Sequence, residues 1–241
     1  MSRSVPDVIP DIATLVTEDD TPVDNMPSEK QQRLLTEPLY SSWVGPGAGR
    51  PFLAAANVGV FPQPRNPAIV PDVFLSLDVR VAENWWDKAH RSYFVWEFGK
   101  PPDLALEIVS NREGNEDGVK KDRYARMRVR YYVIYDPLAQ VMPDVLTIYR
   151  LHEAGYERQA EARFPILKLG LMLWEGVFED VPGTWLRWMD ERDVLIPTGR
   201  ERAEQERQRV DQVEHLLVQE RQRAERLEAL LRRSGIDPEQ A

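Results

Sequence analysis

Pro102-Asp103-Leu104-Ala105-Leu106-Glu107-Ile108-Val109-Ser110 is the stretch that decides how this chain is read. It is apolar and closed by a proline and a serine, which is the pattern of a short buried strand. One residue does not belong in such a strand. Glu107 lies between Leu106 and Ile108, and an ionised carboxylate buried there is costly unless it is paired, hydrogen-bonded or bound to a cation. Strand periodicity puts Asp103, Ala105, Glu107 and Val109 on one face and Leu104, Leu106 and Ile108 on the other. The preceding long run, Val70 to Val79, opens on Asp72 directly after Pro71. If the two runs pair, Asp72 and Glu107 approach each other, and two converging carboxylates suit an oxygen-seeking ion such as Mg²⁺ or Mn²⁺. The competing reading pairs Glu107 with a buried Arg or Lys. Lys120 and Lys121 open the next helix and supply candidates for that partner or for a catalytic cation.

Working outward, Phe52 to Phe61 reads as a strand bounded by prolines, and residues 80–100, with Trp85, Trp86 and Trp96, as a loop or hairpin excursion. Asn111 to Gly118 reads as a polar loop, and Val119 to about Met127 as a helix. Tyr131 to Pro137 is almost continuously apolar, which marks a central strand. Leu146 to Arg150 and Tyr156 to Ala162 form a hairpin turning at Gly155. Ahead of these, Leu34, Leu35 and Leu39 follow at helical spacing, so a helix over 29–43 is expected, capped by Ser28 and blemished by Pro38. The body is α/β, with a mixed central sheet flanked by helices.

Two flanks are of different material. Residues 1–27 carry four prolines and an acidic cluster, the composition of an extended or disordered arm. Residues 200–233 hold Ala203, Glu206, Val210, Val213, Leu217, Glu220, Ala224, Leu227 and Leu231 at alternating spacings of three and four, a heptad track of a coiled-coil helix about 50 Å long. Gly235 and Pro238 stop that helix, leaving 234–241 as a tail. The expected domain body is then 28–199. A helix this charged has little to bury, which favours an intermolecular coiled coil or a projecting partner-binding helix over an amphipathic helix folded on its own body. A homo-oligomer, a dimer through the coiled coil, is expected.

The 241 residues carry a formal charge of −9 and no cysteine. Thiolate metal sites, disulfides and a Cys nucleophile are thereby excluded. No run reaches the roughly 18–20 apolar residues of a membrane helix, and the N-terminus lacks an apolar leader core, so no membrane partner and a cytoplasmic location are expected. An acidic protein has no broad basic surface for nucleic acid. Lys120, Lys121, Arg123, Arg126, Arg128 and Arg130 do fall within a short segment and form a local basic patch. The three histidines have no metal-ligand spacing, and the glycine cluster 45–49 contains a proline and no following Lys-Ser/Thr, so it is not a phosphate loop. Trp174, Trp185 and Trp188 read as a satellite aromatic cluster over the sheet.

Taken in order, Pro71-Asp72-Val73, the Pro102–Ser110 run, Asp117-Gly118-Val119-Lys120, Tyr124-Ala125-Arg126 and Tyr131–Pro137 strongly resemble the Uma-two family of bacterial restriction-endonuclease-like proteins, within the PD-(D/E)xK nuclease superfamily. The resemblance spans about residues 28–190. It implies a restriction-endonuclease-like core and a Mg²⁺- or Mn²⁺-dependent endonuclease acting on DNA. Asp72 and Glu107 would be the two acidic metal ligands, and the backbone carbonyl of Val109 a further one. The superfamily lysine, normally two residues after the acid, is replaced by Val109 here. Lys120 matches the relocated lysine on the following helix, with Lys121 the alternate. Asp103 matches the family's second Pro-Asp and would hold the start of its strand, and the helix over 29–43 would add a polar side chain from Glu29, Gln31 or Gln32.

Three functions follow from different classes: a metal-dependent nuclease, a catalytically inactive nuclease-fold scaffold acting through its coiled coil, and a metal-dependent phosphodiesterase for small nucleotides. Divalent-ion binding separates the first from the second.

Overall fold

The computed structural model describes residues 25–47, 49–64, 66–110 and 116–234. Residues 1–24 of the arm expected over 1–27, most of the loop expected over 111–118 and the helix stop at Gly235 and Pro238 lie outside the described residues. Residues 25–27 of that arm belong instead to the start of the first helix.

Asn25 caps α1 (Met26–Ser41), its side chain accepting the Ser28 N–H at 3.0 Å. The cap is therefore three residues earlier than Ser28, because Pro27 fits the first turn, where its missing N–H costs nothing. Strands β1 (Phe52–Ala56), β2 (Val60–Phe61), β3 (Val73–Leu77) and β4 (Tyr93–Phe94) follow, and then the one-turn helix α2 (Val95–Phe98). The expected single strand from Phe52 to Phe61 is broken into β1 and β2 by Asn57, whose φ of 54° lies in the left-handed region that asparagine tolerates. Next come β5 (Leu104–Ile108), a π-type turn over Glu116–Lys120, α3 (Lys121–Met127) and β6 (Tyr131–Tyr135). The hairpin β7 (Leu146–His152) and β8 (Gly155–Gln159) turns at Gly155, whose φ of 133° suits glycine.

Six of these strands build one mixed sheet in the order β1-β3-β5-β6-β7-β8, and β2 and β4 pair in parallel as a separate short sheet. Within the six-stranded sheet β5 and β6 run parallel across the α3 crossover, and every other neighbouring pair is antiparallel. β6 is interior and buried at all five positions, as its continuous apolar run demands. The two faces of β5 bury in different places. Leu104, Leu106 and Ile108 join a core with Leu35 and Leu39 of α1, while Ala105 and Val109 join a second core with Tyr124 and Met127 on and beside α3. Glu107 therefore points into the α3 side.

Residues 163–189 form a structure that the sequence reading did not foresee. β9 (Arg163–Phe164), β10 (Leu169–Phe178) and β11 (Val181–Met189) make a second, antiparallel sheet in the order β11-β10-β9. It closes the α1 side: Trp188 is fully buried and donates its indole N–H to the Leu35 carbonyl at 2.7 Å.

The chain divides into two compact units between Ile196 and Pro197. The second unit is built on α4 (Gly199–Arg233), a single helix of 35 residues. Thr198 and Glu201 start it with reciprocal side chain-to-backbone bonds, a capping box. Among the described residues no helix is long and apolar enough to cross a membrane.

Candidate active site

The antiparallel register of β3 and β5 pairs Val73 with Leu106, so Asp72, one residue before β3, comes opposite Glu107. Pro71 brings the chain in extended and Asp72 turns onto the α3 face with Phe74. Asp72 Oδ2 accepts the backbone N–H of Ile108 at 2.7 Å, which locks the carboxylate to β5. Its Oδ1 accepts from Gln32 Nε2 at 2.9 Å. Gln32 in turn exchanges amide hydrogen bonds with Asn57, 2.8 and 3.3 Å long. The left-handed Asn57 that splits β1 from β2 thus also props the residue that orients Asp72.

Glu107 is 1% exposed. Its Oε1 accepts the Tyr124 hydroxyl at 2.6 Å and its Oε2 accepts Lys120 Nζ at 2.9 Å. Lys120, at the end of the π-type turn, and Tyr124, on α3, are four residues apart and reach the same carboxylate. Burial pushes the Glu107 carboxyl above its ordinary value, against the opposing pull of Lys120, Tyr124 and Asp72. For Lys120, burial disfavours the cation, but Glu107 and then Glu116 and Asp72 outweigh it and hold the ammonium above its usual value. Burial, reinforced by the Glu107 charge, raises the Tyr124 hydroxyl well above the ordinary phenol, so it stays a proton donor to Glu107.

Of the residues singled out from sequence, Asp72, Glu107 and Lys120 come together, and Val109 continues the same face of β5 with its N–H bonded to the Tyr135 carbonyl. Gln32 is the α1 side chain at the site. Gln31 instead faces the second sheet, bonded to both the N–H and the carbonyl of Leu186, and Glu29 is at the surface beside Arg33. Lys121 also lies apart: it pairs with Asp117 at 3.0 Å and covers the Tyr149 ring. Asp103 accepts from the Leu77 N–H at 2.8 Å and from Lys100, which ties the start of β5 to the end of β3.

Three participants were missed: Tyr124, Asn57 and Glu116. Tyr124 was legible, being four residues from Lys120 on a predicted helix. Glu116 was not, because its place depends on a π-type turn. It is 5% exposed, its Oε1 is 3.6 Å from Lys120 Nζ, and its Oε2 is buried without a hydrogen-bond partner.

The donor set suits a small hard cation. It consists of the carboxylates of Asp72 and Glu107, opposite each other in the β3–β5 register, and that of Glu116, which has one buried, unsatisfied oxygen and the other 3.6 Å from the same Lys120. Among the described residues no group of three or more His, Asp or Glu side chains gathers as a metal cage. Mg²⁺ is commonly held by one or two carboxylates and keeps several waters, so two acids suffice.

Residues 19–173 match the family model Uma2, described as "Putative restriction endonuclease". The chain belongs to the Uma2 family. The matched stretch holds Asp72, Glu107 and Lys120, and the mixed sheet with its flanking helices is the restriction-endonuclease-like core expected of the family. The Uma2 match favours a nuclease over an unrelated binding module. No curated protein matches the chain.

Proposed function

We propose that this Uma2 protein is an endonuclease that hydrolyses the phosphodiester bonds of DNA with the help of Mg²⁺ or Mn²⁺. The observation that carries the reading is the pair of buried acids, Asp72 and Glu107, set opposite each other by the β3–β5 register with Lys120 on Glu107. Such an arrangement is expensive for a fold and useful to a cation site. Asp72, Glu107 and the carbonyl of Val109 would hold the ion. When bound, the cation would supply Lewis-acid polarisation of the phosphodiester and would acidify adjacent water. Gln32 and the Ile108 N–H fix the orientation of Asp72, and Tyr124 fixes that of Glu107. Lys120 donates from its ammonium to the attacking water or to the charge that develops on the phosphoryl oxygens. Arg126, Arg128 and Arg130, all exposed at and after the end of α3, offer a local landing strip for a DNA backbone on an otherwise acidic body.

Titration calorimetry with Mn²⁺ on wild type and on Glu107→Ala tests the reading, followed by a plasmid-cleavage assay. Binding that disappears in the variant supports the site. No binding by the wild type favours the second reading, a catalytically inactive scaffold. One observation speaks for that alternative: Lys120 already closes on Glu107 as a complete ion pair.

The proposal extends to assembly, with α4 joining two copies. Light scattering should give the full chain about twice the molar mass of its polypeptide. A truncation to residues 1–199 that keeps the oligomeric state of the full chain would remove α4 from assembly.

A further inference from the structure

Val210, Val213, Leu217 and Leu227 of α4 are each about half exposed, and Glu206 and Glu220 interrupt the same seam. With these residues at heptad positions a and d, Arg207, Glu214, Arg221 and Glu228 occupy the e positions and alternate in sign along the helix. We infer that α4 pairs with α4 of a second copy in antiparallel orientation, Val213 facing Ala224 and Leu217 facing Glu220. The inference rests on the reading of α4 as the self-association face, and adds to it a direction and a register.

Charge decides the direction. In a parallel, in-register pair every d residue meets its own copy, so Glu206 would face Glu206 and Glu220 would face Glu220 within the seam. Arg202 at g would also meet Arg207 at e. Arg209 would meet Glu214 and Arg223 would meet Glu228, but these exposed flanking pairs do not relieve the like charges stacked within the seam. An antiparallel pair instead sets a against d, and each seam glutamate escapes its counterpart; Glu220 lies against Leu217 and reaches solvent past it.

Charge also decides the register. Antiparallel helices bring e opposite e. In the arrangement proposed, Arg207 faces Glu228 and Glu214 faces Arg221, each contact occurring twice by symmetry. A slip of one heptad in one sense sets Arg207 against Arg221 and Glu214 against its own copy. A slip in the other sense sets Glu214 against Glu228 and Arg221 against its own copy. Of these three registers only the proposed one has every e contact of opposite sign, and slips of two heptads keep only half as many such contacts, the device by which coiled coils exclude wrong pairings. In the isolated helix Arg207 reaches Glu204 at 2.7 Å and Arg223 reaches Glu220 at 3.6 Å. Such exposed pairs hold little energy and yield easily to a partner. The antiparallel seam also leaves the two copies' α4 N-termini at opposite ends of the helix pair.

The absence of native cysteine makes the test direct. Full-length Val213→Cys and Ala224→Cys are mixed and oxidised, after light scattering of the wild type. The expected product is the disulfide between the two variants, since facing seam positions come within the roughly 5.5–6 Å that a disulfide spans between Cα atoms. Val213→Cys alone should form none. A monomeric wild type removes the self-association reading and the orientation with it. A dimer in which Val213→Cys bonds to itself keeps self-association and overturns the orientation. A dimer that forms neither disulfide puts its contact elsewhere and overturns the inference too. An independent check uses charge: Arg221→Glu should weaken the dimer roughly tenfold by opposing Glu214, and adding Glu214→Arg on the same chain should restore it. In a parallel pair Arg221→Glu would meet Leu216 with little effect, and Glu214→Arg would meet Arg209 and worsen binding.

Discussion

Replacing Glu107 with Gln separates a cation site from a structural ion pair, because the two make opposite demands on stability. The change keeps the side-chain volume and leaves an oxygen to accept the Tyr124 hydroxyl, now 2.6 Å from Oε1. It removes the charge, and with it the cost of keeping a 1% exposed carboxylate against Asp72. The loss falls on Lys120. Removing one partner of a fully buried pair costs about 3–5 kcal/mol because the survivor is stranded. Here the Lys120 side chain is 30% exposed and keeps Glu116 at 3.6 Å, so its ammonium retains water and a second carboxylate. Its share of the pair is then closer to about 1 kcal/mol. Relief of a buried charge offsets that, and the variant should be unchanged or more stable by about 1–2 kcal/mol. For a body of this size, that is a rise of roughly 2–8 °C in Tm. Urea unfolding followed by tryptophan fluorescence, beside Mn²⁺ calorimetry, reads both consequences. Stability should hold while cation binding is lost. A loss of about 3 kcal/mol or more with cation binding intact would refute the reasoning and make Glu107 a structural partner of Lys120.

Tyr124→Phe removes a buried donor to Glu107 and should cost about 1–3 kcal/mol in urea unfolding, while leaving Mn²⁺ binding weakened rather than abolished. Gln31→Ala strips both amide contacts with Leu186 from a buried position and should destabilise by about 2–4 kcal/mol, whereas Gln32→Ala should cost less stability and reduce cleavage by loosening Asp72. Asp136 is buried and accepts the N–H groups of Gln140, Val141 and Met142. Burial pushes its carboxyl up, but the backbone N–H groups of Met142, Gln140, Val141 and Leu138 together hold it below its ordinary 3.8. The stability it supplies is therefore present above that ordinary value and is lost as pH falls through the lower folded one. Asp136→Asn should flatten the acid limb of a stability-versus-pH curve and cost about 1–3 kcal/mol at neutral pH.

The central sheet was legible because its strands are bounded by prolines and by polar turns. β3, β5 and β6 each lie inside the run that announced them, shortened by a few residues at the ends. Glu107 was legible for a physical reason: a lone acid within Leu-Glu-Ile must be compensated by something. The break between β1 and β2 was not, since Ala-rich sequence continues through Asn57 and only a left-handed backbone there interrupts it. The second sheet was hidden by its composition. β10 and β11 carry Gly170, Gly176 and Gly183 among tryptophans, and neither alternates cleanly. The choice among Glu29, Gln31 and Gln32 depended on the rotation of α1, which is set by packing against both sheets and is not encoded in any one residue. Two adjacent glutamines point to different sheets, and no spacing rule predicts which.

That adjacency has a practical consequence for anyone cutting the gene. The family-matched stretch ends at residue 173, in the middle of β10, and leaves out all of β11. An expression fragment trimmed to the match would deprive Gln31 of both Leu186 contacts and strip Trp188 from Leu35. The damage would not stay at the periphery, because the next residue along α1 is the one that steers Asp72. The minimal piece worth purifying therefore runs through Ile196, where the first compact unit ends. A negative result for cleavage or cation binding obtained on a shorter fragment would report on the scissors rather than on the protein.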